Sequence, residues 1–230
     1  MEKINISCLR NIFGMMLLLL LMMISVGAHA QSPAQAQPPQ VQKVAPVTLP
    51  PVEPAKPMPW PDLQVPADAH GRPWILINTR QQTLEVRRDK ELLKRFGYVA
   101  IGRGGAAPLR RMGDGKTPLG TYHIAWINDD SRFHIFFGLD FPNRADLERA
   151  YQNSMINRDV YDRNRMRVER GSAPMQNTAL GGSIGIHGLG PRDVNLHRRY
   201  NWTDGCIALD NEEVEELASW VEIGTTVVIR

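Results

Sequence analysis

The chain has 230 residues, 43% of them hydrophobic, 22% charged and 7% aromatic, with a formal net charge of +3. Those values fit one globular domain of ordinary size and exclude a nucleic-acid binder built on a basic stripe, because lysines and arginines are interleaved with acids. The densest basic run, Arg158 to Arg170, has five arginines but also Asp159, Asp162 and Glu169, and reads as a solvated helix face.

The first residues carry the three parts of a secretory signal: Lys3 and Arg10, an apolar run from Ile12 to Val26, and Ala28-His29-Ala30 ahead of Gln31. The run falls short of the ~20 residues that a membrane span needs. Residues 1–30 are therefore expected to be a cleaved signal peptide rather than an uncleaved inner-membrane anchor, which places the mature chain in the periplasm. Cys8 precedes the apolar run, where a lipoprotein cysteine would follow it. With Cys8 removed, Cys206 has no partner in the chain, although it sits in a compartment where disulfides persist. Residues 31–66 hold eleven of the seventeen prolines and little apolar periodicity. They are expected to form a disordered or polyproline-like arm, leaving 67–230 as the folded domain.

Trp74 to Asn78 and Thr83 to Arg87 are short runs of β-favouring residues, and a polar turn at Arg88 to Lys90 leads to a further run from Leu92 through Ile101. This meander predicts antiparallel sheet, with the first strand covered on both faces. Gly102 to Gly115 is glycine-rich and basic. It lacks P-loop spacing and a following helix pattern, so it reads as a loop lining the site. Pro118 and Gly120 punctuate entry to a strand ending near Ile127, and Phe136 to Phe141 is another apolar segment. Asn143 to Asp146 resembles a helix start, with Leu147, Ala150 and Tyr151 on one face. A weaker helical stretch follows Asn157, and the two are read as an insertion over 143–175 that covers the cleft.

Ile184 to Gly188 alternates, so Ile184 and Ile186 face one side while Gly185 and His187 face the other. Asp210 to Glu213 opens a helix whose apolar stripe is Val214, Leu217, Ala218 and Val221, and Thr225 to Ile229 forms a closing strand.

Cys206 and His187 supply a thiol and an imidazole, the minimum parts for covalent acyl chemistry. A neighbouring histidine takes the proton of a thiol whose pKa is ordinarily near ~8.5. Gly205 leaves the approach to sulfur open, and its N–H and that of Cys206 are candidate oxyanion donors. Asp204 disfavours the thiolate unless a cation pairs with it, for which His187, His197, Arg198 and Arg199 are candidates. Trp202 and Tyr200 either pack against substrate or fix the loop, while Arg198 and Arg199 are candidates to meet the carboxylates of an acidic peptide. His70, His123 and His134 form no ligand set with Cys206, so neither a metal nor another cofactor is expected.

The stretch GDGKTPLGTY at 113–122, followed by IGIHG at 184–188 and TDGCIAL at 203–209, resembles the L,D-transpeptidase catalytic domain, also called the YkuD domain. The likeness covers about Trp74 to Ile229. It implies a mainly β fold with helical insertions, in which two mixed sheets pack as a sandwich and the nucleophile lies in a cleft beneath a flap. It also implies that Cys206 attacks the bond after the diaminopimelate of a peptidoglycan tetrapeptide stem, releasing D-alanine and leaving a thioester. His187 is then the base, and the Gly188 carbonyl orients it. A second stem's amine, a free D-amino acid, an outer-membrane lipoprotein lysine or water resolves the thioester, and carbapenems acylate the same sulfur in relatives.

The chain departs from the family pattern Ser/Thr-His-Gly-Cys-x-Arg at Asp204 and at Ala208, with Arg192, Arg198 or Arg199 as candidates to replace the arginine. The function expected is a periplasmic cysteine L,D-transpeptidase. The alternatives are a hydrolase on the same scaffold, acting as carboxypeptidase or as endopeptidase on cross-links or lipoprotein links, and a catalytically silent wall-binding module.

Overall fold

The computed structural model describes residues 63–230. The expected signal peptide and nearly all of the expected proline-rich arm lie outside the described residues. The elements in order are β1 (Pro73–Asn78), β2 (Thr83–Arg88), β3 (Glu91–Phe96), β4 (Ala106–Ala107), β5 (Thr117–Pro118), β6 (Gly120–Ser131), β7 (His134–Leu139), α1 (Arg144–Gln152), α2 (Arg158–Glu169), β8 (Gly185–His187), α3 (Val194–His197), β9 (Ile207–Ala208), α4 (Asn211–Ala218) and β10 (Thr226–Ile229). The fold is mainly β with a mixed sheet. No helix among the described residues is long and apolar enough to cross a membrane.

Eight strands run in the order β3-β2-β1-β10-β6-β7-β8-β9, and β4 pairs separately with β5. The pairs β1·β10 and β8·β9 are parallel, and the other neighbours in the large sheet are antiparallel. The long β6 joins two layers. Its residues Gly120 to His123 pair with β10, those from Ile124 onward pair with β7, and the register slips after Ile124 and again after Asn128. Such irregularities bend a strand and increase its twist, so β6 carries the chain from one layer to the other. The far edges then meet, because Ala100 beyond β3 exchanges hydrogen bonds of 2.9 and 2.8 Å with Ala208 of β9. One apolar core fills the interior, combining Ile75, Ile77, Leu84 and Val86 with Ile186, Ile207 and Leu209, and with Val214 and Leu217 of α4.

Strand β1 is covered on both faces. Ile75 and Ile77 enter the main core, while Trp74 and Leu76 lie under a second patch with Ala69, onto which Leu63 packs. The run from Leu92 to Ile101 is divided. Strand β3 ends at Phe96, after which Val99 bonds to Gln82 and Ala100 to Ala208.

Helix α1 begins at a reciprocal cap in which Asn143 accepts from the Asp146 N–H and Asp146 accepts from the Asn143 N–H. Leu147 and Ala150 are buried, but Tyr151 is 37% exposed and stacks on Tyr161 of α2 at 4.9 Å. It lies at the margin of the helical stripe, where the second helix rather than the sheet covers it. The outer side of α2 carries the i,i+4 pairs Arg158–Asp162, Arg163–Asp159 and Arg165–Glu169, so its arginines are solvated and locally paired.

Candidate active site

Strands β8 and β9 lie side by side in parallel, with Ile186 opposite Ile207 and His187 opposite Ala208. Ile184, Ile186, Ile207 and Leu209 enter the core. Because successive side chains alternate, His187 on β8 and Cys206, immediately before β9, are brought to the other face. Cys206 closes a tight turn that Thr203 holds. The Thr203 hydroxyl donates to the Cys206 carbonyl at 2.7 Å and accepts from the Gly205 N–H at 3.2 Å. Gly205 has φ +122°, and a Cβ there would lie 2.5 Å from the Lys116 carbonyl oxygen, so only glycine fits. The glycine-rich loop is sewn to this turn, since the Arg103 N–H donates to the Thr203 carbonyl at 2.9 Å.

The thiol of Cys206 donates to the Ser183 carbonyl at 3.4 Å. The residue as a whole is only half-buried, yet its sulfur is enclosed deeply enough that burial pushes the thiol up to about 11, against the pull of the Gly185 N–H and the Arg110 charge. His187 is 1% exposed. It stacks on Phe133 at 4.3 Å and on Phe136 at 5.8 Å, and meets Trp202 edge-on at 5.8 Å. Its Nδ1 lies 2.7 Å from the Gly188 carbonyl. A carbonyl only accepts, so Nδ1 carries the proton and Nε2 keeps a free lone pair. Burial lowers this imidazole to about 4. At neutral pH the resting site thus holds a neutral thiol and a neutral imidazole, and the thiol proton is directed to Ser183 rather than to His187.

The L,D-transpeptidase catalytic domain matches residues 72–229. The chain belongs to that family. No curated protein matches the chain. Solved structures similar to this L,D-transpeptidase domain include the helical cell shape determining protein Pgp2 from Campylobacter jejuni, at 19% identity and TM-score 0.46, covering 69% of this chain and 47% of that one. Bd1075 of Bdellovibrio bacteriovorus is similar at 22% identity and TM-score 0.45, covering 71% and 49%. A mutant L,D-transpeptidase of Enterococcus faecium is similar at 12% identity and TM-score 0.42, covering 70% and 50%. This chain spans about half the length of those structures.

Where this L,D-transpeptidase domain departs from the family pattern, the structure shows what stands nearby. The Asp204 carboxylate pairs with Arg103 at 2.5 Å, instead of with His187, His197, Arg198 or Arg199. The reason is the return of the glycine-rich loop onto the turn that carries Cys206, which sequence distance conceals. Ala208 is fully buried, paired with His187 on one side and with Ala100 on the other. Arg198 pairs with Asp210 at 3.5 Å, Arg199 is exposed, and Arg192 lies over the Trp202 ring at 4.5 Å. Trp202 rests against His187 and donates to His197 Nδ1 at 3.2 Å, so it fixes the loop beside His187, whereas Tyr200 is 61% exposed.

A second cation beside the Cys206 turn is Arg110, whose Nη2 donates to the Asp204 carbonyl at 3.2 Å. Nothing in the run Leu109-Arg110-Arg111 distinguishes the buried arginine from the exposed one. The Gly205 N–H, a candidate oxyanion donor, is occupied by Thr203 Oγ1 and becomes available only if that bond is released. Between the glycine-rich loop and the α1–α2 turn lies a cavity of about 320 Å³ lined by Leu109, Arg111, Asp114, Lys116, Asn153 and Met155.

Proposed function

We propose that this protein is a periplasmic cysteine L,D-transpeptidase acting on peptidoglycan tetrapeptide stems. The observation that carries the reading is a Cys206 thiol at the entry to β9 and a neutral, Nδ1-protonated His187 on the adjacent parallel β8, both opposite the face that the isoleucines bury. Sulfur attacks the carbonyl after the diaminopimelate while the thiol proton passes to His187 Nε2. The tetrahedral adduct collapses with cleavage of the C–N bond, and the departing D-alanine amine takes the proton back from His187, leaving a thioester on Cys206. An acceptor amine, from a second stem, a free D-amino acid or a lipoprotein lysine, then displaces sulfur and regenerates the thiol.

Arg111 and Lys116, which line the cavity with Leu109, Asp114, Asn153 and Met155, are the cations offered to the carboxylates of an acidic stem. The signal-like leader supports export to the compartment where such stems occur.

The test is incubation with disaccharide-tetrapeptide and an amine acceptor, read by mass spectrometry, with Cys206→Ala as control. Acceptor incorporation that disappears in Cys206→Ala is expected. Release of D-alanine with water as the sole acceptor would replace the transferase by a carboxypeptidase. Binding of stems without any turnover would leave a silent wall-binding module.

A further inference from the structure

The guanidinium of Arg110 is only 5% exposed, although no motif called attention to it. Its Nη2 donates to the Asp204 carbonyl at 3.2 Å, its Nε lies 3.8 Å from Asp114 Oδ1, and its plane sits 5.6 Å from the centre of the Phe141 ring. Nε and Nη1, both enclosed, have no hydrogen-bond partner. A buried cation with two unsatisfied donors destabilises a fold, so its retention calls for a physical account. Asp114 supplies part of one as an ion pair at 3.8 Å, but its oxygens accept the backbone N–H groups of Arg111 and Lys116 at 2.8 and 2.9 Å and make no hydrogen bond to Nε or Nη1.

Charged and titratable groups from three elements stand near Cys206. From the glycine-rich loop come Arg103, Arg110, Asp114 and Lys116; from the nucleophile turn comes Asp204; and from β8 comes His187. The Arg103 charge is matched by the exposed Asp204 carboxylate. Lys116 reaches the turn through its backbone carbonyl, while its residue lines the cavity beyond the loop. His187 is uncharged at rest. That leaves Arg110 as the enclosed positive charge acting on the sulfur.

We propose that Arg110 is the electrostatic partner of Cys206, held with its charge incompletely matched so that the sulfur anion formed during attack completes an ion pair. It thereby supplies, from a different loop, positive charge near the nucleophile where the family motif has a histidine and an arginine and this chain has Asp204 and Ala208. Arg110 acts through the sulfur, and this role rests only on Cys206 being the nucleophile. It does not depend on which peptide is cleaved or which acceptor is used.

The test is the pH dependence of iodoacetamide alkylation of the full chain, followed by mass spectrometry on the Cys206 peptide. In Arg110→Gln the midpoint is expected to move to higher pH, and the rate at pH 8 to fall about tenfold, the change that one pKa unit produces. Arg110→Lys should recover most of that loss. Asp114→Asn, which removes the carboxylate competing for the same guanidinium, should move the midpoint to lower pH.

A folded Arg110→Gln variant, with native circular dichroism and a profile that overlays the parent's, would overturn the proposal. Should that variant not fold, an unmoved profile in Asp114→Asn would overturn it equally. Unchanged alkylation in an Arg110→Gln variant that has lost turnover of stem peptide would also overturn it, and would assign Arg110 to substrate binding. Loss of the alkylation shift would leave the peptidoglycan reading intact, whereas failure of stem turnover with the shift present would leave Arg110 in place and sink the substrate assignment.

Discussion

At the scale of single residues, burial acts on an acid and a base in opposite directions and makes both neutral. It pushes the Cys206 thiol up to about 11 and the His187 imidazole down to about 4. His197, buried against Tyr98 and Trp202, is likewise lowered to about 4. The consequence for stability has a definite sign. An unfolded histidine takes up a proton near ~6.5, which these two refuse in the native state until about 4. Between those values the unfolded chain binds more protons, so stability is lost as pH falls through the window. Urea unfolding at pH 7 and pH 5 is expected to show that loss, and His187→Gln is expected to shrink it. An undiminished loss in the variant would show that His187 is not among the groups responsible.

At the scale of elements, the helical insertion is fastened to the site at identifiable points. The Asn143–Asp146 cap starts α1, and the Tyr122 hydroxyl on β6 donates to the Asp146 carboxylate at 3.2 Å. Arg149 Nη1 donates to the Pro108 carbonyl at 2.7 Å, so α1 also holds the loop that carries Arg110. Burial raises the Asp146 carboxyl to about 6, partly offset by the Asn143 N–H and Tyr122 bonds. Replacing a cap of this kind costs about 1 kcal/mol. Asn143→Ala should therefore lower the unfolding free energy by about that amount, measured by urea denaturation with an unchanged slope. A changed slope would mean that the insertion detaches as a separate unit.

At the scale of the whole molecule, His123 ties the segment ahead of β1 to the middle of the sheet. Its Nε2 lies 2.6 Å from Asp68 and its Nδ1 3.0 Å from Asp140. These bonds raise it to about 9, against the opposing effect of burial. Here the sign reverses: the native state holds a proton that the unfolded chain releases near ~6.5. The contribution is fully present below that value and lost as pH rises through about 9. The side chain is 39% exposed, so solvent screening limits the effect to under about 1 kcal/mol. Urea midpoints should fall between pH 6.5 and 9.5, and less steeply in His123→Gln. Together with the acid loss at His187 and His197, this places the greatest stability near neutral pH.

The sequence by itself determined whatever is written in short-range pattern. Alternation in Ile184 to Gly188 put His187 opposite the isoleucines, apolar runs located β1, β2 and β7, the Asn143 and Asp210 caps marked two helix starts, and three ordered motifs identified the family. These signals are local because strand alternation, helical periodicity and capping each involve residues within a few positions of one another. Only the tertiary structure decided how β6 changes layers, how Ala100 closes onto Ala208, and that the small β4·β5 ladder and α3 exist. It also decided that Arg103 meets the Asp204 carboxylate and that Arg110, 94 residues before Asp204, reaches its backbone carbonyl. Partners so distant in sequence are set by how the sheet curls around its core, and no periodicity along the chain records that geometry.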